Sequence, residues 1–399
     1  MLFRSGSDGA PVVTVEQRER RGTGDAVAAG LTAFDELDAE EDIVVMAADA
    51  PLVRTATILE LVEEHRALDA AATVLTAVVA DPTGLGRVVR GDDGRVTRIV
   101  EHADATEDER AITEVNTSIY CFRRNLLAPA LRRLSPTNAQ GEYYLTDAIE
   151  VLRSAGHRVA AVAADDPREA IMVNDRAELA EAEAELRSRI NRDWMRAGVT
   201  MTDPAATYID VDVRLAADVT LLPGTMLAGL TTIGAGSVVG PTTSLTDVTV
   251  GEGARVSVTT AVGCEIGDGC EVGPFAYLRP GTVLGAGAKV GAHVEVKGSR
   301  IGPGSKVPHL SYIGDAEIGA DVNLGAGTVT ANYDGRAKHR TTIGDGVHTG
   351  VHTVLVAPVE VGDGAETGAG SVVTRDVAPG RLVKGVPARD SRPAREDGD

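Results

Sequence analysis

The sequence predicts an α/β domain joined by a helix to a parallel β-helix, and three observations carry the prediction. Between Ile266 and Val373 an aliphatic residue returns every six positions: Ile266, Val272, Leu278, Leu284, Val290, Val296, then Ile343, Thr349, Leu355, Val361, Thr367, Val373. Ahead of residue 175, short apolar runs alternate with helical stretches. Between these halves, residues 174–197 are rich in helix formers, with acids early and arginines late, as a helix dipole favours. A six-residue period suits neither a helix nor an isolated strand. It suits three short strands per coil, so residues about eighteen apart stack.

The elements follow in order. Ile43 to Ala48 reads as a buried parallel strand ending on Asp49. Thr55 to Leu68 has helical periodicity, and Thr73 to Val79 is a second strand. Asp81 to Gly86 is a loop, and Arg87 to Arg90 is strand-like. A long linking helix then runs to Gly198, which ends it. Hexads begin after Asp203-Pro204, loosely at Ile233 and Val239, and become strict further on. The residues beyond Val386 read as a disordered tail. The expected division is 1–175 for the α/β domain, 176–200 for the helix, 201–378 for the β-helix and 379–399 for the tail.

Composition narrows the function. The chain has 399 residues, 43% hydrophobic but only 3% aromatic, as a narrow solenoid core of small aliphatics requires. A net charge of −20 argues against general nucleic-acid binding. Cys121, Cys264 and Cys270 form no CxxC, which suits a reducing cytoplasm. The start lacks the apolar core of a signal peptide, and no stretch is long and apolar enough to span a membrane.

Side chains alternate along a strand, so the neighbours of each inward aliphatic point outward. Arg279 follows inward Leu278, and Lys297 follows inward Val296. These cations share one outer face, about 4.8 Å apart in the backbone. They either splay into water or form an anion site, and phosphate is the natural anion. Glu295 and, one coil later, Tyr312 belong to the same face, with His309 at the corner entering it. The repeat then breaks from Thr328 to Arg340, a polar and locally basic loop of the kind solenoids use for binding.

At these residues the chain resembles the bifunctional bacterial enzymes that make UDP-N-acetylglucosamine. They join a glucosamine-1-phosphate N-acetyltransferase to an N-acetylglucosamine-1-phosphate uridyltransferase. The resemblance is carried by Gly273-Pro274-Phe275-Ala276, Leu278-Arg279-Pro280-Gly281, His309 to Ala316, Asn323 to Thr328 and Asn332-Tyr333-Asp334-Gly335. In the first half it is carried by Gly22-Thr23-Gly24, Asp81-Pro82-Thr83-Gly84, Val100-Glu101-His102, Asn116-Thr117 and Gln140 to Tyr144. It implies a Rossmann-like nucleotidyltransferase domain, a left-handed β-helix, and a homotrimer with acetyl-transfer sites shared between subunits.

The resemblance also implies roles. His309 matches the base that frees the sugar amine to attack acetyl-CoA, and Glu295 the acid supporting it. Arg279, Lys297, Tyr312, Asn323 and Lys338 would contact the sugar phosphate and hydroxyls, with Asn332 and Tyr333 holding the amino sugar. Ala326, Val351 and Ala369 would line the acetyl-CoA side. Val351 stands where the family has serine, and Lys384-Gly385-Val386 replaces an expected arginine. In the first domain Asp49 and Asn174 match the Mg2+ ligands, Asn174 also lying on the nucleotide side. Gln17, Gly22 and Thr23 match contacts to the uracil and sugar of UTP, and Gly86, Glu101 and Asn116 those to acetylglucosamine. The family's glycine-rich phosphate-gripping segment has no counterpart before Val13, so the domain is expected to be truncated, with an exposed sheet edge and weak or absent uridyltransferase activity. Two other classes remain open: a β-helix metal hydratase using His293, His309, His348 and His352, and a non-catalytic sugar-nucleotide scaffold.

Overall fold

The structure is a computed structural model that describes residues 13–34 and 41–393. The chain divides into two compact units, Met1–Glu185 and Leu186–Asp399. The division falls inside helix α6, Arg176–Arg196, the long helix expected from its composition.

The first unit is built on a mixed sheet of β1 (Asp42–Met46), β2 (Ala72–Val78), β3 (Arg87–Arg90), β4 (Val96–Val100), β5 (Glu114–Arg123) and β6 (Val159–Ala163). Its order is β4-β3-β5-β2-β6, with β1 also pairing β5. β2 is buried along most of its length, and helix α2 (Thr55–Ala67) covers it with Leu61. The parallel, buried strand expected at Ile43 to Ala48 is corrected on both counts. β1 runs antiparallel to β5 and is half-buried. Among the described residues it pairs only with β5, and Met46 is exposed. Asp49 lies beyond the strand end, where its carbonyl accepts from Val173 N at 2.9 Å.

Within the second unit Gly198, at φ +98°, releases the chain from α6 into the solenoid. Ile190 and Trp194 pack on the first coils. Buried Asn191 donates to the carbonyls of Pro204 (2.7 Å) and Thr207 (2.9 Å), tying the helix to the start of the solenoid. Three parallel sheets of seven, ten and nine strands form the walls of a left-handed β-helix. The first wall runs from Thr200–Met201 to Lys306–His309, the second from Tyr208–Ile209 through Tyr312–Gly314 to Val372–Val373, and the third from Arg214–Leu215 to Val359–Val361.

Leu278, Val296 and Ile313 stack in register inside the second wall, all fully buried, as the hexads require. Coil length varies. Tyr277 pairs with Glu295 eighteen residues on, Glu295 with Tyr312 seventeen on, and Glu317 with Thr342 twenty-five on. The last value is the extruded loop, which returns as a small hairpin closed by a Tyr333–Lys338 bridge. Buried serines and threonines fill the corners and satisfy backbone groups: Ser299 Oγ donates to Lys297 O (3.0 Å) and accepts from Ala316 N (2.9 Å). The disordered-tail expectation fails for Ala388–Pro393, which pairs antiparallel with Arg381–Gly385. Arg381–Gly385 in turn extends the solenoid beside Glu366–Thr367. Residues 394–399 lie outside the described residues.

Candidate functional site

The second wall presents Tyr277, Glu295 and Tyr312 as one outward ladder, with Arg279 and Lys297 one step further along each strand. The two cations do not splay into water. Arg279 donates to Glu295 at 2.9 Å, and Lys297 Nζ to Asp315 Oδ1 at 2.6 Å. Each carboxylate comes from the next coil, so the stack alternates in sign and like charges are kept apart. The hydrogen bond to Glu295 raises the Arg279 pKa, and that to Asp315 raises the Lys297 pKa. Burial alone would push the Asp315 carboxyl up. Hydrogen bonds from Lys297 and Asn332 outweigh it and hold the carboxyl below its ordinary value.

The loop closes over this pair. Asn332 Nδ2 donates to Asp315 Oδ2 at 2.6 Å, and Lys338 lies so close to Lys297 that its own pKa is lowered. Asp334 organises the hairpin by accepting from Arg336 N, Ala337 N and His339 at 2.7–2.8 Å. Tyr333, in the closing bridge, is exposed. Gly314 makes room beneath: a Cβ there would sit 2.5 Å from the Tyr312 hydroxyl and 2.7 Å from Asn332 Nδ2.

His309 ends the last strand of the first wall, at the corner leading to Tyr312, and is exposed. Its carbonyl accepts from Gly327 N (3.2 Å), that of Ala326 from His352 N (2.7 Å), and that of Val351 from Gly370 N (2.8 Å). His309, Ala326, Val351 and Ala369 therefore form one column along a single edge of the prism. The sequence reading grouped the last three but did not place the imidazole on their line. The signal was in the register: each follows an outward residue of the first wall, Lys306, Asn323, His348 or Glu366, by three positions.

Two of the implied site residues have other neighbours within the chain. Glu295 pairs with Arg279 and makes no hydrogen bond to His309. Asn323 sits on the first wall beside Lys306 and His348, not on the second with Arg279 and Lys297. Asp315 was missed, although it lies inside a quoted motif. It follows inward Ile313 by two residues, at a corner the alternation rule leaves unassigned.

Of the hydratase histidines, His293 stacks on Phe275 at 5.0 Å, His348 faces out from the first wall, and His352 lies under Gly327. Among the described residues no three His, Cys, Asp or Glu side chains converge as a metal site.

In the first unit a cavity of about 210 Å³ is lined by Thr23, Glu101, Asn116, Ser118, Tyr120 and Thr146, among others. Asn116 is buried and donates to the Tyr120 hydroxyl at 2.7 Å. Burial raises the Glu101 pKa, only partly offset by the Thr146 hydroxyl at 3.1 Å. A Cβ on Gly86 would come within 3.4 Å of Glu101 and 3.6 Å of Asn116, so glycine keeps this side open. Gly22, at φ +106°, turns tightly against Tyr143, and Thr23 Oγ1 accepts from Leu145 N. Gln17 donates to Gly22 O and Asp25. Asp49 Oδ1 is buried without a hydrogen-bond partner. Asn174 follows Val173, whose amide is tied to the Asp49 carbonyl.

The family pattern described as nucleotidyl transferase matches residues 2–195, and that described as bacterial transferase hexapeptide (six repeats) matches 263–298. A protein named bifunctional protein GlmU from Mycolicibacterium gilvum is 53% identical over 94% of this chain and 75% of its own length. The proteins of that name from Thermobifida fusca and Brevibacillus brevis are 53% and 48% identical, over 93% and 92% of this chain and 77% and 80% of their own lengths.

Proposed function

The chain belongs to the bifunctional GlmU family, and from that membership we propose that its β-helix transfers the acetyl group of acetyl-CoA to the amine of glucosamine-1-phosphate. One observation carries the reading: a wall of paired charges meets, at a single corner, an exposed histidine that heads a column of small side chains. Arg279, Lys297 and Lys338 would take the phosphate, with Tyr312, Asn332 and Tyr333 beside the sugar. His309 would remove the proton that the amine must lose to attack the thioester. The column Ala326, Val351 and Ala369 would carry the acetyl-CoA arm toward it.

In a single chain this corner is open to solvent, which suits a site closed by a neighbouring copy; Asn323, on the other wall, would then serve an adjoining site. We take the assembly to be a homotrimer. Light scattering should give three times 41.4 kDa. Free, buried cysteines and the lack, among the described residues, of a helix able to cross a membrane agree with a cytoplasmic location.

The test is thiol release from acetyl-CoA in the presence of glucosamine-1-phosphate. His309→Ala should lower kcat by about 10²–10⁴. Full activity in that variant, or none in the unaltered chain, rules the reading out.

A second activity rests on the first unit, where Glu101 and Asn116, which line the cavity, and nearby Gly86 suit N-acetylglucosamine-1-phosphate, and Gln17, Gly22 and Thr23 suit the nucleotide. Mg2+ would be held by Asp49, whose orphaned buried oxygen fits a ligand role, and Asn174, with substrate oxygens completing the shell. Bound there, it would neutralise triphosphate charge during uridylyl transfer from UTP. Pyrophosphate release from UTP in the presence of N-acetylglucosamine-1-phosphate is the test, and none at all would rule this activity out.

A further inference from the structure

The best-connected side chain on the acceptor wall is one to which no role was assigned. Asp315 adopts φ +51°, a conformation that aspartate and asparagine tolerate better than most residues. Its amide donates to Lys297 O at 2.9 Å, and its carbonyl accepts from Thr341 N at 3.2 Å. Its two carboxylate oxygens divide between Lys297 Nζ and Asn332 Nδ2, both at 2.6 Å. One residue thus grips the neighbouring coil, the entry of the extruded loop through Asn332, and its exit through Thr341.

The charges show a second consequence. Arg279, Lys297 and Lys338 face Glu295 and Asp315, three cations against two carboxylates. The wall is left with one net positive charge. An amino-sugar phosphate carries a phosphate of about −1.5 to −2 and, before its proton is removed, an ammonium of +1. Its net charge is therefore close to −1, and the wall matches it. Without Asp315 the wall would favour bare anions over this zwitterion.

We propose that Asp315 is the positioning residue of the acceptor site, holding Lys297 and Asn332 in place and trimming the wall's charge to fit an amino-sugar phosphate instead of a simple anion. The proposal rests on the acetyl-transfer reading above but can fail independently of it.

The test is Asp315→Asn in the full chain. Asparagine keeps the shape and tolerates the backbone, but it offers one acceptor oxygen where the carboxylate has two and carries no charge. Affinity for inorganic phosphate, read by titration calorimetry, should tighten about five-fold, because one repelling charge is gone. The kcat for glucosamine-1-phosphate should fall about ten-fold or more, because Lys297 is released. The pairing is checked by a cycle with Lys297→Gln: once Lys297 is gone, Asp315→Asn should cost much less. Unchanged phosphate affinity and kcat would overturn the proposal. So would parallel losses of phosphate affinity, kcat and thermal stability, which would mark a merely structural role. If the unaltered chain lacks acetyl transfer, the acceptor reading fails by itself, and the phosphate titration still decides whether Asp315 tunes the wall.

Discussion

At the residue scale, the charged groups of the acceptor wall do their work in pairs, whereas Glu101 in the first unit is held by a hydroxyl instead of a cation. Glu101 is pushed up by burial, so its carboxyl takes a proton more readily folded than unfolded. The sign follows. As pH rises from the ordinary carboxylate value near ~4.3, the unfolded chain ionises first, and stability is lost until the raised folded pKa is passed. Glu101→Gln removes that loss while leaving an oxygen for the Thr146 hydroxyl. The first unit should gain stability at pH 8 and none near pH 4, at the expense of any uridylyl transfer. Heat-induced unfolding at the two pH values checks this, and a lower midpoint at pH 8 would contradict it. Asp315 and Lys297 behave oppositely: one is depressed and the other raised. Their bond is complete above the ordinary carboxylate range and lost only as pH falls through the depressed value or rises through the raised one. The acidic limb of acetyl transfer should therefore belong to other groups.

At the element scale, the wall and the loop depend on what fills the space between them. Gly314 is tightly covered, yet the atoms above it are the side-chain ends of Tyr312 and Asn332. A methyl group there pushes on side-chain tips, and the coil itself need not move. Gly314→Ala should leave the melting temperature within a few degrees and raise KM for glucosamine-1-phosphate about ten-fold or more, since a displacement near 1 Å in a site can cost about 10² in rate. An unchanged KM would place the acceptor elsewhere. This element also shows the reach and limit of the hexad rule. The rule put Arg279, Glu295, Lys297 and Tyr312 on one wall, because alternation along a strand is local. It left Asp315 out, because corner residues do not alternate, and the loop contacts out, because a coil of twenty-five residues breaks the count.

At the scale of the whole molecule, each unit has its own core, and the solenoid core is a one-dimensional stack in which each coil contacts its neighbours. Leu278→Ala hollows the stack beneath Arg279 and should cost the second unit about 2–5 kcal/mol. Urea unfolding monitored separately in the two units checks this; an equal loss in the first would show that they do not fold independently. Periodicity and local composition determined the two-part architecture, the long helix, the wall carrying the cations and the corner carrying His309, because period, alternation and residue type are properties of adjacent residues. Only the tertiary structure decided the antiparallel pairing of β1, the paired tail strand, the partners of each charge, and the single line shared by His309, Ala326, Val351 and Ala369. Those outcomes depend on coil lengths of sixteen to twenty-five residues and on which side chains meet across them, and no local pattern records either.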